Sequence, residues 1–464
     1  MSEQSDDRGD AQPEGRWARC SARIFRPVDA ASINLFRMMF GLVMFWEVWR
    51  FFDEDWIRLY YIDRKFFFKY YGFEWLHPWP GDGMYIHFAV VGALALCIMF
   101  GLLYRIAAWL FFFGFTYWFL LDETRYLNHL YMVALIAFLM ALIPAHRARS
   151  LDAKMQKGLR CDTVPAWCLW ILRLQIGLVY FWAGIAKLNS DWLAGEPIRT
   201  WLAHRDDYVL IGPWLDTDTA GWLFTYGGMG FDLMVVPLLL WRRTRAWAFA
   251  GCVFFHASNK ILFDIGIFPF MALAGTTLLF SPSWPRRVYA LFGPRVESET
   301  VDVAPPRGWR RAALLAVLGV FVALQLFLPL RHHLYPGNVN WTEEGHRFAW
   351  HMKLRDKKAT ASFFATDPAT GKTWRVEHRK WLSSAQSSRV GRWPDMSLQF
   401  AHFLADELSE DGRRLEIRVS SRATLNGREK QFLIDRDVDL SAEPRNLRHA
   451  DWIIPLRHDL PERD

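Results

Sequence analysis

Tyr180-Phe181-Trp182-Ala183-Gly184-Ile185-Ala186-Lys187-Leu188-Asn189-Ser190-Asp191-Trp192 closes an apolar run that begins near Val164. At about 1.5 Å of rise per residue, a helix from Val164 to Leu188 is long enough for the roughly 30 Å hydrocarbon core of a bilayer. The run is apolar all round, which excludes a surface helix with one wet face. The stretch therefore predicts a membrane-spanning helix that ends at a lysine. Counted outward from it, about nine apolar segments are candidates: 31–52, 84–104, 105–121, 127–146, 164–188, 219–241, 244–260, 261–281 and 311–330. The third and seventh are short, so tilt or partial insertion is expected there.

The flanks differ in kind. Residues 1–30 are polar, and Arg8, Arg16, Arg19, Arg23 and Arg26 precede the first span without an apolar stretch and cleavage site of a secretory signal. Basic residues recur after every second span thereafter. Arg147, Arg149, Lys154, Lys157 and Arg160 follow the fourth, Arg242, Arg243 and Arg245 the sixth, and Arg286, Arg287, Arg295, Arg307, Arg310 and Arg311 the eighth. Cytoplasmic loops carry such an excess, so the N-terminus is expected inside and the region after the ninth span outside. The net charge of +7 is thus accounted for by the orientation of helices, and no nucleic-acid partner is implied.

Three domains follow: a polar cytoplasmic segment (1–30), a transmembrane helical domain (31–330) and a soluble extracytoplasmic domain (331–464). In the last, alternation in Thr373–His378 and Leu415–Ser420 predicts strands, Asp367–Gly371 a turn, and Asp395–Leu408 an amphipathic helix. The expected fold is an α-helical polytopic membrane bundle followed by a mainly β (α+β) exterior domain. Short helices are expected near 198–205 and 208–215, and a proline-rich linker at 282–310. The five cysteines, Cys20, Cys97, Cys161, Cys168 and Cys252, have no metal-type spacing, so neither a metal site nor a structural disulfide is expected. Gly227, Gly228 and Gly230 are expected to admit a neighbouring helix.

Chemistry concentrates at the predicted outer ends of the spans. Lys187 ends the fifth, Asn128 and His129 open the fourth, and His256 and Asn259 close the seventh. Each has an ordinary reading: a lysine anchoring a helix end at the interface, a histidine bonding a carbonyl, an asparagine capping a helix. Their convergence on one face favours a site. An amine held against hydrocarbon is cheaper uncharged, and an uncharged amine can act as a base. Arg37, Glu47, Arg173 and Asp232 also lie within spans; Arg37 and Glu47 are expected to reach toward water, and Arg173 with Asp232 to form an internal ion pair.

Residues 31–285 resemble the membrane domain of vitamin K-dependent γ-glutamyl carboxylases. The blocks that carry the likeness are Ala31–Arg37, Gly101–Ile106, Phe119–Asp122 with Asn128-His129, Tyr180–Gly184 with Lys187-Leu188 and Asp191-Trp192, Phe255-His256 with Asn259, Phe263, Ile265-Gly266 and Phe268, and Ser281–Pro285. It continues in Asn340-Trp341-Thr342, Phe348-Ala349-Trp350 and Asp435–Asp439. The resemblance implies a bacterial-type relative in the inner membrane that oxygenates reduced vitamin K, a phylloquinol or menaquinol, with O2 to an epoxide and adds CO2 to glutamate in a protein or peptide, without a metal. It implies Lys187 as the base that starts oxygenation and His129 for the carboxylation half. Asn128, His256 and Asn259 become quinol contacts.

The γ-proton of glutamate is too weakly acidic for any side-chain base, so the proton must pass to a species generated away from water, in a lipid-fed pocket. Two departures stand out: the family's paired lysines are Ala186-Lys187 here, and its doubled asparagine is Leu127-Asn128. Two other readings compete. One is quinol oxygenation without carboxylation of a peptide. The other is lipid binding or transport, which predicts paired halves or broken-helix repeats, and the sequence has neither.

Overall fold

The computed structural model describes residues 22–204, 212–263, 265–291, 306–409 and 414–461. The polar stretch before residue 22, with Cys20, lies outside the described residues. So do the start of the expected 208–215 helix and the centre of the proline-rich linker; Gly212–Leu215 is helical.

All nine apolar segments are helical over most of their length: α1 (Ala31–Asp53), α2 (Gly83–Phe100), α3 (Tyr104–Leu120), α4 (Asn128–Leu142), α5 (Ala166–Ala186), α6 (Asp218–Leu240), α7 (Arg245–Phe263), α8 (Phe268–Thr276) and α9 (Gly308–Phe327). Five of them, α1, α2, α5, α6 and α9, are long and apolar enough to cross a membrane. α4 is a shorter apolar helix, and α8 with its 3-10 extension to Leu279 is another. The expected span at 261–281 is broken. α7 runs on to Phe263, Gly266 takes a left-handed φ of +58°, and α8 restarts with Pro269 in its first turn. Proline is tolerated there because the first-turn N–H groups have no helical partner.

Arg37 does not reach water. It is fully buried and donates to the carbonyls of Ile98 (2.6 Å), Met99 (2.7 Å) and Arg149 (2.7 Å), the first two at the C-terminal end of α2. A helix end leaves such carbonyls unpaired, so the guanidinium acts as a cap. Gly101 makes room for it, since a Cβ there would lie 2.7 Å from Arg37 Nη1. Gly227, Gly228 and Gly230 do not serve helix approach: a Cβ at any of them would meet nothing within 4 Å among the described residues. Gly184 on α5 does serve it, because a Cβ there would stand 2.6 Å from Leu233 Cδ2 on α6.

The C-terminal region carries a small antiparallel sheet of order β4-β3-β5-β6, built from β3 (Lys357–Thr366), β4 (Thr373–Val376), β5 (Glu416–Leu425) and β6 (Gln431–Phe432). A separate two-stranded ladder pairs β1 (Pro27–Asp29) with β2 (Thr163–Pro165). β3 and β5 pair along their whole length, Lys357 opposite Leu425 and Thr366 opposite Glu416. α10 (Pro394–Glu407) packs on β5, and Phe363, Phe400, Leu404, Ile417 and Val419 fill the core between them. The strands are fewer than a mainly β reading expects; helices and irregular chain supply the rest. β3 escapes sequence reading because Lys357-Lys358-Ala359-Thr360-Ala361-Ser362 lacks large apolar alternation.

The outer loop before α2 enters this second core. Phe68 is buried in it, Phe66 packs 4.7 Å from Phe403, and Gln386 Nε2 donates to the Phe66 carbonyl at 2.8 Å.

Candidate functional site

The C-terminal end of α5 sets the site. Lys187 is the residue that ends the helix, and it is buried. Its Nζ donates to Asp232 Oδ2 on α6 at 2.6 Å and to the Ala183 carbonyl at 3.1 Å, with the Trp192 ring centre 5.1 Å away. The expected lone amine is therefore half of an ion pair. The expected Arg173–Asp232 pair does not form. Arg173 instead donates to the carbonyls of Leu278 (2.8 Å) and Phe280 (2.6 Å). The reason lies in packing: without a side chain at Gly184, α5 and α6 close up where Lys187 and Asp232 face each other. Trp192 Nε1 donates to the Thr225 carbonyl of α6 at 3.1 Å and holds the following turn in place.

Tyr180 lies seven residues before Lys187, two turns back on nearly the same helix face. Its hydroxyl meets His256 Nε2 of α7 at 2.7 Å. His256 is fully buried, and its Nδ1 has no partner among the described residues. The ring of Phe268 at the start of α8 stands between two imidazoles, with centroids 5.6 Å from His256 and 6.2 Å from His129. Gly266 completes the corner. A Cβ there would lie 3.7 Å from Arg50 Nη1 and 3.9 Å from His129 Nε2. Arg50 in turn pairs with Glu47 at 2.8 Å, so Glu47 is buried and neutralised and does not reach outward as expected.

Asn128 is the predicted site residue with the most complete set of partners. Its Nδ2 donates to the His351 carbonyl at 3.0 Å, and its Oδ1 accepts from the Tyr126 hydroxyl at 3.0 Å. Tyr126 Oη accepts from the Phe348 N–H at 2.7 Å. Asn128 thus clasps the membrane bundle to the exterior domain and does not cap its own helix. Asn259 is half-buried on α7, one turn beyond His256.

The structure brings His129 and His256 together around Phe268 and joins His256 to the Lys187 helix through Tyr180. Sequence reading gave no role to Tyr180, Phe268, Gly266 or Arg50, although the first three lie in the blocks that carry the family likeness. Tyr180 carried a further signal, its two-turn spacing from Lys187.

Between α5 and α6 lies an apolar groove of about 350 Å³, lined by Trp170, Arg173, Gly177, Phe181, Val236 and Pro237, with Asp232 in its wall. A smaller cavity of about 130 Å³ lies outside the bundle, between Asn128 and the exterior residues Glu343, His346, Arg347 and Trp393.

The exterior domain is locked onto the outer loops by buried charges. Asp191 is held bidentately by Arg428, both contacts at 2.7 Å, and also accepts from Asn426 Nδ2 at 2.7 Å. Glu123 pairs with Arg347 at 2.6 Å, yet burial raises its carboxyl to about 8, more than the guanidinium offsets. His351, beside His332 and His346, is pushed down to about 3, first by burial and then by His332. A buried amine with a loosened proton does exist in this domain: burial lowers Lys357 to about 8, against the pull of Glu343. No cluster of three or more His, Cys, Asp or Glu side chains that could hold a metal occurs among the described residues.

Comparison with known families matches residues 25–284 to the HTTM domain and residues 310–459 to the lumenal domain of vitamin K-dependent gamma-carboxylase. No solved structure matches the chain. The first match spans more than half of the 464 residues and covers the whole Lys187–His129–His256 region. The second covers the sheet and the residues that clasp Asn128 and Asp191. With both parts in the family's order, the chain belongs to the vitamin K-dependent gamma-carboxylase family.

Proposed function

We propose that this protein is a quinol-dependent γ-carboxylase in which Lys187 starts the oxygenation of reduced vitamin K and His129 serves carboxylation of protein-bound glutamate. The family implies a vitamin K cofactor, a membrane location and a glutamate-containing protein substrate. The observation carrying the reading is the pair of imidazoles around Phe268, with the buried His256 Nδ1 left without a partner among the described residues. A buried ring nitrogen without a hydrogen bond is costly, and a quinol hydroxyl is a fitting partner for it.

In this reading His256 and Asn259 orient the quinol head, and Tyr180 holds the imidazole in place by occupying Nε2, which leaves Nδ1 for the quinol. Reduced vitamin K, when bound, supplies with O2 the strong base that a glutamate γ-proton requires and leaves as the epoxide. Lys187 Nζ takes a hydroxyl proton at the start, which requires its uncharged form. The packed aromatic walls exclude water that would quench a strong base. Asn128 contributes chiefly by tying the site to His351 of the exterior domain, where a peptide substrate is expected to dock. The domain division at 330/331, a cytoplasmic N-terminus and a bacterial inner-membrane location are parts of the same proposal, supported by the basic loops.

The test uses the full-length protein in lipid nanodiscs with reduced vitamin K, O2, labelled bicarbonate and a glutamate peptide. Wild type is expected to yield epoxide and labelled peptide, Lys187→Ala no epoxide, and His129→Ala more of its epoxide than of its label. Equal epoxide from wild type and Lys187→Ala would remove the role given to that lysine. Epoxide without label would reduce the function to quinol oxygenation.

A further inference from the structure

Asp232 is an acid within a membrane-spanning helix, and such residues are rare because burying a charge in hydrocarbon is costly. It is buried, and its Oδ2 accepts from Lys187 Nζ at 2.6 Å. Close packing at Gly184 brings its helix to that position. Nothing in the sequence spacing links residue 232 to residue 187; tertiary contact alone does. We propose that Asp232 is a positioning residue for Lys187: its carboxylate fixes Nζ in the site and supplies the counter-charge for the ammonium form. This inference rests on Lys187 being the base proposed above.

An aspartate that orients a catalytic histidine and stabilises its charged form acts in the same way. A base that takes a proton away from water must carry a positive charge there, and a carboxylate at hydrogen-bond distance lowers that cost. Tyr180 on α5 lies within electrostatic reach of Asp232 and is ordinarily uncharged near pH 7, and Arg173, which lines the same groove, is taken up by the carbonyls of Leu278 and Phe280. Asp191, on the turn beyond Lys187, is already matched by Arg428. Asp232 is thus the carboxylate that faces the amine, at 2.6 Å. It also stands in the wall of the groove between α5 and α6, so a lipid-borne molecule in that groove would approach the pair from the Asp232 side.

The experiment compares wild type, Asp232→Asn and Asp232→Glu as full-length proteins in nanodiscs, with two readouts. The first is the pH profile of epoxide formation. Asp232→Asn is expected to lower the high-pH plateau at unchanged KM for the quinol and to move the acid limb down by about one pH unit or more, the shift that follows from losing an opposite charge at this distance. Asp232→Glu is expected to restore most of both. The second readout needs no activity: acylation of Lys187 by a small amine-reactive reagent across pH, read by mass spectrometry of the folded protein. In Asp232→Asn, half-labelling is expected about one pH unit or more below wild type. An unshifted limb together with unshifted labelling overturns the proposal, because a purely structural aspartate would lower the plateau without moving either. Shifted labelling in a wild type that makes no epoxide would keep the Asp232–Lys187 pairing and overturn the base role instead.

Discussion

At the scale of single residues, this site is made of polar groups that the bundle has taken out of water and matched one by one. Lys187 finds Asp232, Glu47 finds Arg50, and Arg173 finds two carbonyls at the end of the α8 segment. Within the site His256 Nδ1 stands apart as a buried nitrogen with no partner among the described residues. Tyr180 decides which nitrogen that is, because its hydroxyl occupies Nε2 at 2.7 Å. Tyr180→Phe removes this bond and keeps the ring, so stability should fall by only about 1–2 kcal/mol, the usual range for a lost buried hydrogen bond. Quinol KM should rise more than kcat falls, since the imidazole loses the bond that holds its ring in place while Lys187 and Asp232 stay where they are. Steady-state epoxide assays at several quinol concentrations check this; an unchanged KM would deny His256 a part in holding the quinol. Polarity along the chain pointed to Lys187, His129 and His256 as candidates because ionisable residues at span ends are conspicuous. It mismatched Asp232 with Arg173, since pairing depends on which helix faces which.

At the scale of elements, the approach of α5 to α6 is the contact on which the site depends. Two glycines on α5, Gly177 and Gly184, face α6 one heptad apart, and their surroundings differ. A Cβ at Gly177 would lie 3.5 Å from Val236, an ordinary contact, whereas at Gly184 it would lie 2.6 Å from Leu233 Cδ2 and 3.3 Å from the Leu233 backbone nitrogen. The same substitution should therefore have opposite signs. Gly177→Ala should be neutral or stabilising by up to about 1 kcal/mol, the helix-propensity gain of alanine over glycine. Gly184→Ala gains the same propensity but must push the helices apart, at about 1–3 kcal/mol for overpacking, and should separate Lys187 from Asp232. Thermal unfolding in nanodiscs and the epoxide assay together check this; equal behaviour of the two variants would refute the account. The break at Gly266 is a second device of this kind. By stopping α7 and restarting the chain at Phe268, it places one aromatic ring against both imidazoles. An unbroken span at 261–281, as composition alone predicts, would carry Phe268 away along a continuous helix.

At the scale of the whole molecule, the membrane bundle and the exterior domain act as one body through buried polar contacts. The strongest is Asp191–Arg428, with side chains 1% and 7% exposed and two contacts of 2.7 Å. Arg428→Ala leaves the Asp191 carboxylate buried with Asn426 at 2.7 Å and the Ser190 hydroxyl at 3.5 Å to serve it, and removal of one partner of such a pair typically costs about 3–5 kcal/mol. The exterior domain should then open to limited proteolysis, and carboxylation should fall more than epoxide formation. Arg418→Ala is the control: Arg418 and its partner Glu416 are both half-buried at the surface, with side chains 37% and 36% exposed, and surface pairs contribute about 0–1 kcal/mol. Equal protease resistance of the two variants would show that the domain is held by its apolar contacts, such as Phe66 and Phe68, and not by the charge pair.

The order of residues alone establishes that this chain is a bundle of apolar helices with a polar domain after it. Span-length hydrophobic runs leave the backbone no alternative in lipid but to satisfy its own hydrogen bonds. It also determined which residues at the span ends were worth suspecting, because charge is costly there. Folding in three dimensions is what pairs Lys187 with Asp232, turns Asn128 to the domain junction and sets Phe268 against the two histidines. Those outcomes turn on the close approach at Gly184 and the break at Gly266. Contacts between helices far apart in the chain depend on shape at the ångström scale, which no local pattern of polarity records.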